Sequence, residues 1–88
     1  MQKLFKALGS STRLKILEGI LKREGWTCEC KLQNLVDRDK SVIYRHFRKL
    51  EEAGILETRK NGRMTECKVK NKEKIEKILE LAEEVNEN

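Results

Sequence analysis

At 88 residues, with 38% hydrophobic and 40% charged side chains, the chain has room for one small core beneath a densely charged surface and none for a large substrate-enclosing enzyme. Its apolar positions are too regular for a disordered chain, and a domain this small is expected to gain stability by dimerising. No apolar run approaches the roughly 20 residues of a membrane span. Met1-Gln2-Lys3-Leu4-Phe5 carries no signal-peptide stretch, so a soluble cytoplasmic protein with no membrane partner is expected.

The net charge of +5 is unevenly spread: residues 1–30 carry +3, residues 31–70 carry +5 and residues 71–88 carry −3. A basic middle segment is the electrostatic footprint of a polyanion partner, with the acidic tail directed away from it. Abundant Lys, Glu and Ile without proline resembles hyperthermophile usage.

Leu4, Phe5 and Leu8 form a short apolar face that stops at Gly9, a first helix. Ser10 or Ser11 caps a second, in which Leu14, Ile16, Leu17, Ile20 and Leu21 give a broad stripe ending at Gly25. Trp26-Thr27-Cys28-Glu29-Cys30 alternates as a short strand does. Leu32, Leu35 and Val36 mark a third helix of about two turns. Asp39 is the expected N-cap of a fourth helix that runs to Ala53 and stops at Gly54.

Residues 55–60 and 63–70 read as two strands joined by Asn61-Gly62, a strong hairpin signal. On the second strand Thr65, Cys67 and Val69 share the face expected to meet the core. Asn71 caps a fifth helix whose seam is Ile75, Ile78, Leu79, Ala82 and Val85. The order gives one domain over 1–88, mainly α with a small β-hairpin wing: a winged helix-turn-helix with an extra helix at each end. Its helix-turn-helix spans 31–53 and its wing 55–70.

The fourth helix has two chemically different faces. Ile43, Phe47 and Leu50 repeat at i, i+4 and i+7 and pack inward, while Ser41, Tyr44, Arg45 and Arg48 line another face, with Lys40 at its start. In the major groove of double-stranded DNA, Arg bonds guanine bidentately while Ser and Tyr donate to phosphate. His46 lies beside this face, where it donates to phosphate or is packed. The hairpin tip Arg59-Lys60-Asn61-Gly62-Arg63 presents three cations to a phosphate backbone or minor groove, and Lys there also protects an exposed edge. A module for protein or RNA contacts is the alternative to a DNA reader. Catalysis is not expected, since there is no glycine-rich phosphate loop and no supported nucleophile.

Three stretches carry a family resemblance: Leu4 to Gly9, Ser11-Thr12-Arg13-Leu14-Lys15-Ile16-Leu17, and Ser41 to Leu56 with its Arg45-His46-x-x-Lys49-Leu50-x-x-Ala53-Gly54 core. With Cys28-Glu29-Cys30-Lys31-Leu32, the chain is similar over nearly its whole length to the ArsR/SmtB family of metal-responsive repressors. The resemblance implies a homodimer joined by its terminal helices, 1–8 and 72–86, that binds a partly palindromic operator and often releases it to an inducer. Independently, Leu4, Phe5 and Leu8 with the seam Ile75, Ile78, Leu79, Ala82 and Val85 supply two apolar patches for an isologous contact.

No cofactor is required by this reading. Cys28 and Cys30 stand where many members carry a thiolate pair, suited to soft metals or metalloids. Two sulfurs are an incomplete tetrahedral site, however: the position of a further cysteine is Gln33, and the residue after the pair is Lys31. The only histidine is His46, so a metal site on the last helix is excluded. Cys67, on the strand beside them, opens a disulfide or shared-ligand role, and all three cysteines equally suit small buried packing residues.

Overall fold

The computed structural model describes residues 2–87. Helix α1 (Gln2–Leu8) is followed by α2 (Ser11–Leu21), strand β1 (Thr27–Cys28), two 3₁₀ turns (Glu29–Lys31 and Gln33–Leu35), α3 (Lys40–Glu52), β2 (Leu56–Asn61), β3 (Met64–Val69) and α4 (Lys72–Glu87). It is the expected winged helix-turn-helix order. The strands form one antiparallel sheet in the order β1-β3-β2.

Ser10 takes extended backbone and accepts the Arg13 N–H at 3.3 Å, so it, and not Ser11, caps α2. That helix ends at Leu21, before Gly25, because Ile16, Leu17 and Ile20 are its last deeply buried positions. Gly19 in its middle allows a close approach, since a Cβ there would run into the Leu35 side chain. Ile43, Phe47 and Leu50 of α3 are buried as expected and meet Ile16, Leu17, Leu32, Ile55, Leu56 and Cys67 in one core. α3 closes with Gly54 at φ 79°, its N–H bonded to the Glu51 carbonyl and that of Ile55 to Leu50, both 3.0 Å.

Four local expectations need correction. The third helix is two 3₁₀ turns: Asp37-Arg38-Asp39 brings no apolar position to extend the stripe of Leu32 and Val36, and Leu35 stays exposed. Cys30 leaves the strand for the first of those turns, because only Thr27 and Cys28 pair with β3. The hairpin turn is Gly62-Arg63, one residue later than expected, since Asn61 pairs with Met64 and Gly62 takes the left-handed φ of 64°. Asn71 does not cap with its side chain; at φ 57° it turns its carbonyl to the N–H groups of Lys74 and Ile75 at 3.0 and 3.1 Å.

Helix α4 divides along its length. Ile75 is buried in the core and Ile78 and Leu79 pack against it, whereas Ala82 is exposed and Leu81 and Val85 are 52% and 76% exposed. Ile75 therefore anchors the helix to its own domain, and only the later part of the seam is open to a partner. No helix among the described residues is long and apolar enough to cross a membrane.

Candidate nucleic-acid interface

The inward stripe of α3 fixes how the helix rolls, and the roll decides what faces out. Lys40, Ser41, Tyr44 and Arg45 are exposed along one side, and Arg45 makes no ion pair or side-chain hydrogen bond among the described residues. Thr58 on β2 donates its hydroxyl to the Glu51 carboxylate, tying the wing to the end of α3. Arg63 stands at the tip of that wing, exposed and likewise without a protein partner among the described residues.

Three of the basic side chains expected at DNA have partners within the fold. Arg59 bonds Glu66 at 2.9 Å and lies 4.3 Å over the Trp26 ring, which Lys68 also approaches at 4.9 Å. Arg48 donates to Glu29, sits 3.1 Å from Glu51 and stacks on Tyr44 at 4.8 Å. Lys60 donates to the Thr65 hydroxyl at 2.8 Å while remaining exposed.

His46 is half-buried against α2. Arg13 donates through Nη1 to its Nδ1 at 3.1 Å, through Nε to the Ala7 carbonyl at 2.6 Å and through Nη2 to the Lys6 carbonyl at 2.9 Å. The histidine is held below its ordinary pKa by burial first and then by the cations Arg13, Arg38 and Arg45. With Arg13 donating to Nδ1, the neutral ring carries its proton on Nε2. Sequence reasoning missed this role of Arg13, although the residue stands in the Thr12-Arg13-Leu14 run that carries the family resemblance.

Glu29 was missed as well. It is buried, and burial pushes its carboxyl up while the Arg48 guanidinium pulls it down. No local pattern signals it, because Glu29 opens the first 3₁₀ turn and the strand before it, Thr27 and Cys28, is buried at both positions.

Cys28 and Cys30 are joined as a disulfide, and Cys67 is free and buried. The disulfide or shared-ligand role considered for Cys67 fails on register: Thr27 faces Cys67 across the sheet, and Cys28 faces Glu66. Among the described residues no group of three His, Cys, Asp or Glu side chains comes together to hold a metal ion. Burial, reinforced by Glu29, pushes the Cys67 thiol up to about 12 from 9.0. The unfolded chain therefore ionises this thiol first, and stability is expected to fall as pH rises from about 9 towards 12. Denaturant titrations of the parent and Cys67→Ala proteins across that range check it, with a shallower decline expected in the variant. At pH 8 the native Cys67 should resist alkylation.

The Helix-turn-helix domain family matches residues 8–59. The uncharacterized HTH-type transcriptional regulator MJ1325 of Methanocaldococcus jannaschii is 32% identical over 93% of this chain and 90% of its own length. Among solved structures, the ArsR family transcriptional regulator RHA00566 is 28% identical, with a TM-score of 0.72 over 99% of this chain and 90% of that one. The chain belongs to the ArsR family of transcriptional regulators. It is thus a relative of helix-turn-helix transcriptional regulators.

A cadmium resistance transcriptional regulatory protein, a CadC homolog of Staphylococcus aureus, is 37% identical over 70% of this ArsR-family chain. The chain spans 50% of that relative's length. The homodimeric winged helix-turn-helix domain Mb0332 of Mycobacterium bovis shares the fold, with a TM-score of 0.79 over 98% of this chain and 77% of that one at 19% identity.

Proposed function

We propose that the chain is the homodimeric DNA-binding unit of an operator-specific repressor acting in the cytoplasm. The observation that carries this is the outward face of α3, where Lys40, Ser41, Tyr44 and Arg45 are exposed, with Arg63, unpaired among the described residues, on the wing. Residues 31–53 read base edges, and residues 55–70 clamp phosphates. His46 takes part as a buttress of the helix, held by Arg13.

Dimerisation uses both terminal helices, 1–8 and 72–86. Phe5, Leu8, Leu14, Ile78, Leu79 and Ala82 line an apolar groove between α1 and α4. Phe5 is 59% and Val85 76% exposed, side chains that a partner's copy of the same surface would cover.

Selection of bound sequences from random duplex DNA tests the reading. Operator recognition predicts a preference of at least about a thousandfold over random sites, while a module for protein or RNA contacts predicts none. Arg63→Ala is expected to weaken binding to all duplexes alike and to lower the salt slope by about one unit. A shift in sequence preference from that variant would reverse the assignment of reader and clamp.

The cadmium relative's name favours a second component, a soft-metal or metalloid effector at Cys28 and Cys30. The residues present do not fit it: the two sulfurs are bonded to each other, and Glu29, the carboxylate between them, is committed to Arg48. Added arsenite, cadmium or zinc is therefore expected to leave the DNA affinity of the disulfide form unchanged in a titration by fluorescence anisotropy.

A further inference from the structure

Glu29 lies inside the small ring that the Cys28–Cys30 bridge closes, so the bridge governs where its backbone points. Cys28 and Glu29 are buried and Cys30 is exposed, and the Cys30 N–H donates to Cys28 Sγ at 3.3 Å. The Glu29 carboxylate accepts from Arg48, which lies 19 residues along on the recognition helix. Arg48 is held there at a cost to its own bonding. Its Nη1 is 3.1 Å from Glu51, but its Nε is buried without a hydrogen-bond partner. Its guanidinium also stacks on Tyr44, which is 56% exposed on the reading face. A continuous chain of contacts therefore runs from the bridge through Glu29 and Arg48 to Tyr44.

We propose that the Cys28–Cys30 bridge is a redox latch on the DNA-reading face: closed, it keeps Arg48 on Glu29, and opened by a dithiol, it releases Arg48 to a DNA phosphate. The inference rests on the DNA-reading function proposed above. A thiolate of the dithiol attacks the exposed Cys30 Sγ, the S–S bond breaks, and Cys28 leaves as a thiolate that takes up a proton. The second thiol of the reductant then attacks its own sulfur in the mixed disulfide and expels Cys30, which takes up the second proton. Two electrons and two protons pass to the protein's sulfurs, and the reductant leaves as a cyclic disulfide.

The exposure of Cys30 gives the reductant access to the bridge. With the ring open, residues 28–30 are no longer constrained and the buried Glu29 carboxylate gains water by moving outward. Arg48 then satisfies its fork, Nε included, on a phosphate.

The test uses the whole chain equilibrated with reduced or oxidised dithiothreitol and its selected duplex. Denatured oxidised protein should titrate one thiol, Cys67, and reduced protein three. Reduction is expected to tighten duplex binding about tenfold, the effect of one charge-assisted hydrogen bond. It should also steepen the salt slope by about one unit. Glu29→Gln, and separately the Cys28→Ser, Cys30→Ser double variant, should bind like the reduced parent in either buffer.

Three thiols in the oxidised protein, equal affinity in both states, or an undiminished redox difference in Glu29→Gln would each overturn the latch. The Arg48 Nε–H exchange rate by NMR reads the latch without DNA. Faster exchange on reduction supports it, and identical exchange rejects it. A protein that prefers no duplex sequence instead refutes the operator reading, and the exchange measurement still decides the latch.

Discussion

In the Arg45→Ala protein, the operator is expected to lose about 1–3 kcal/mol of its advantage over random duplex, roughly ten- to a hundredfold. Arg45 sits on the exposed side of α3, opposite the Ile43, Phe47 and Leu50 stripe that seats the helix. With no carboxylate partner among the described residues, it has nothing to give up on meeting a base edge. Folding should be untouched, because surface substitutions away from special features change stability by about half a kcal/mol or less. Tyr44→Ala should act in the same direction, and it also removes the ring on which Arg48 stacks. Competition binding with operator and scrambled duplexes decides the matter. Equal weakening on both would show that α3 clamps the backbone and does not read sequence.

A Phe5→Glu, Val85→Glu double variant should sediment at the mass of one 10.4 kDa chain while keeping its helical circular dichroism. Both side chains are more than half exposed in the single chain, at 59% and 76%, so the charges cost the fold little. In an isologous contact each would meet apolar surface twice, and a carboxylate buried there without a partner is strongly disfavoured. Operator affinity should then fall by about two to four orders of magnitude, the avidity lost when two half-sites are no longer engaged together. A parent protein that sediments as a stable monomer at micromolar concentration would overturn the dimer. Ile78→Glu is a less specific probe, since Ile78 also packs on the core of its own domain.

The two periodicities in the chain made most of the fold legible. Ile43, Phe47 and Leu50 recur at helical spacing, and all three are buried where that spacing places them. Thr65, Cys67 and Val69 alternate on β3, and Cys67 and Val69 contribute to the core. Reading failed where a contact distant in the chain overrides a local pattern. The two 3₁₀ turns replace a helix because Leu32 is captured by α2 and α3 while Leu35 is left exposed. Glu29 and Arg48 each look like solvated surface residues, and only the sheet and α3 together bring them into one partly buried pair. The charge of the wing tip marks Arg59 for a phosphate but carries no sign of the Trp26 ring and Glu66, which hold this exposed side chain within the fold. The bonding of the three cysteines was not legible either, since a one-residue shift in register decides which sulfur faces which strand.

The Arg13 side chain grips the last carbonyls of α1 with two nitrogens and His46 on α3 with a third. In the DNA-bound dimer proposed above, the helix that meets the sister subunit and the helix that enters the groove are thus bolted to one another within each protomer. Two such units joined by α1 and α4 behave as a rigid caliper, with its jaws at a set separation. DNA recognised by it should tolerate no change in the distance between half-sites. One inserted base pair would turn one half-site about 34–36° around the duplex axis and carry it out of reach of the second α3. Arg13→Ala loosens the bolt, and its signature would be acceptance of operators whose centres are one base pair too long or too short.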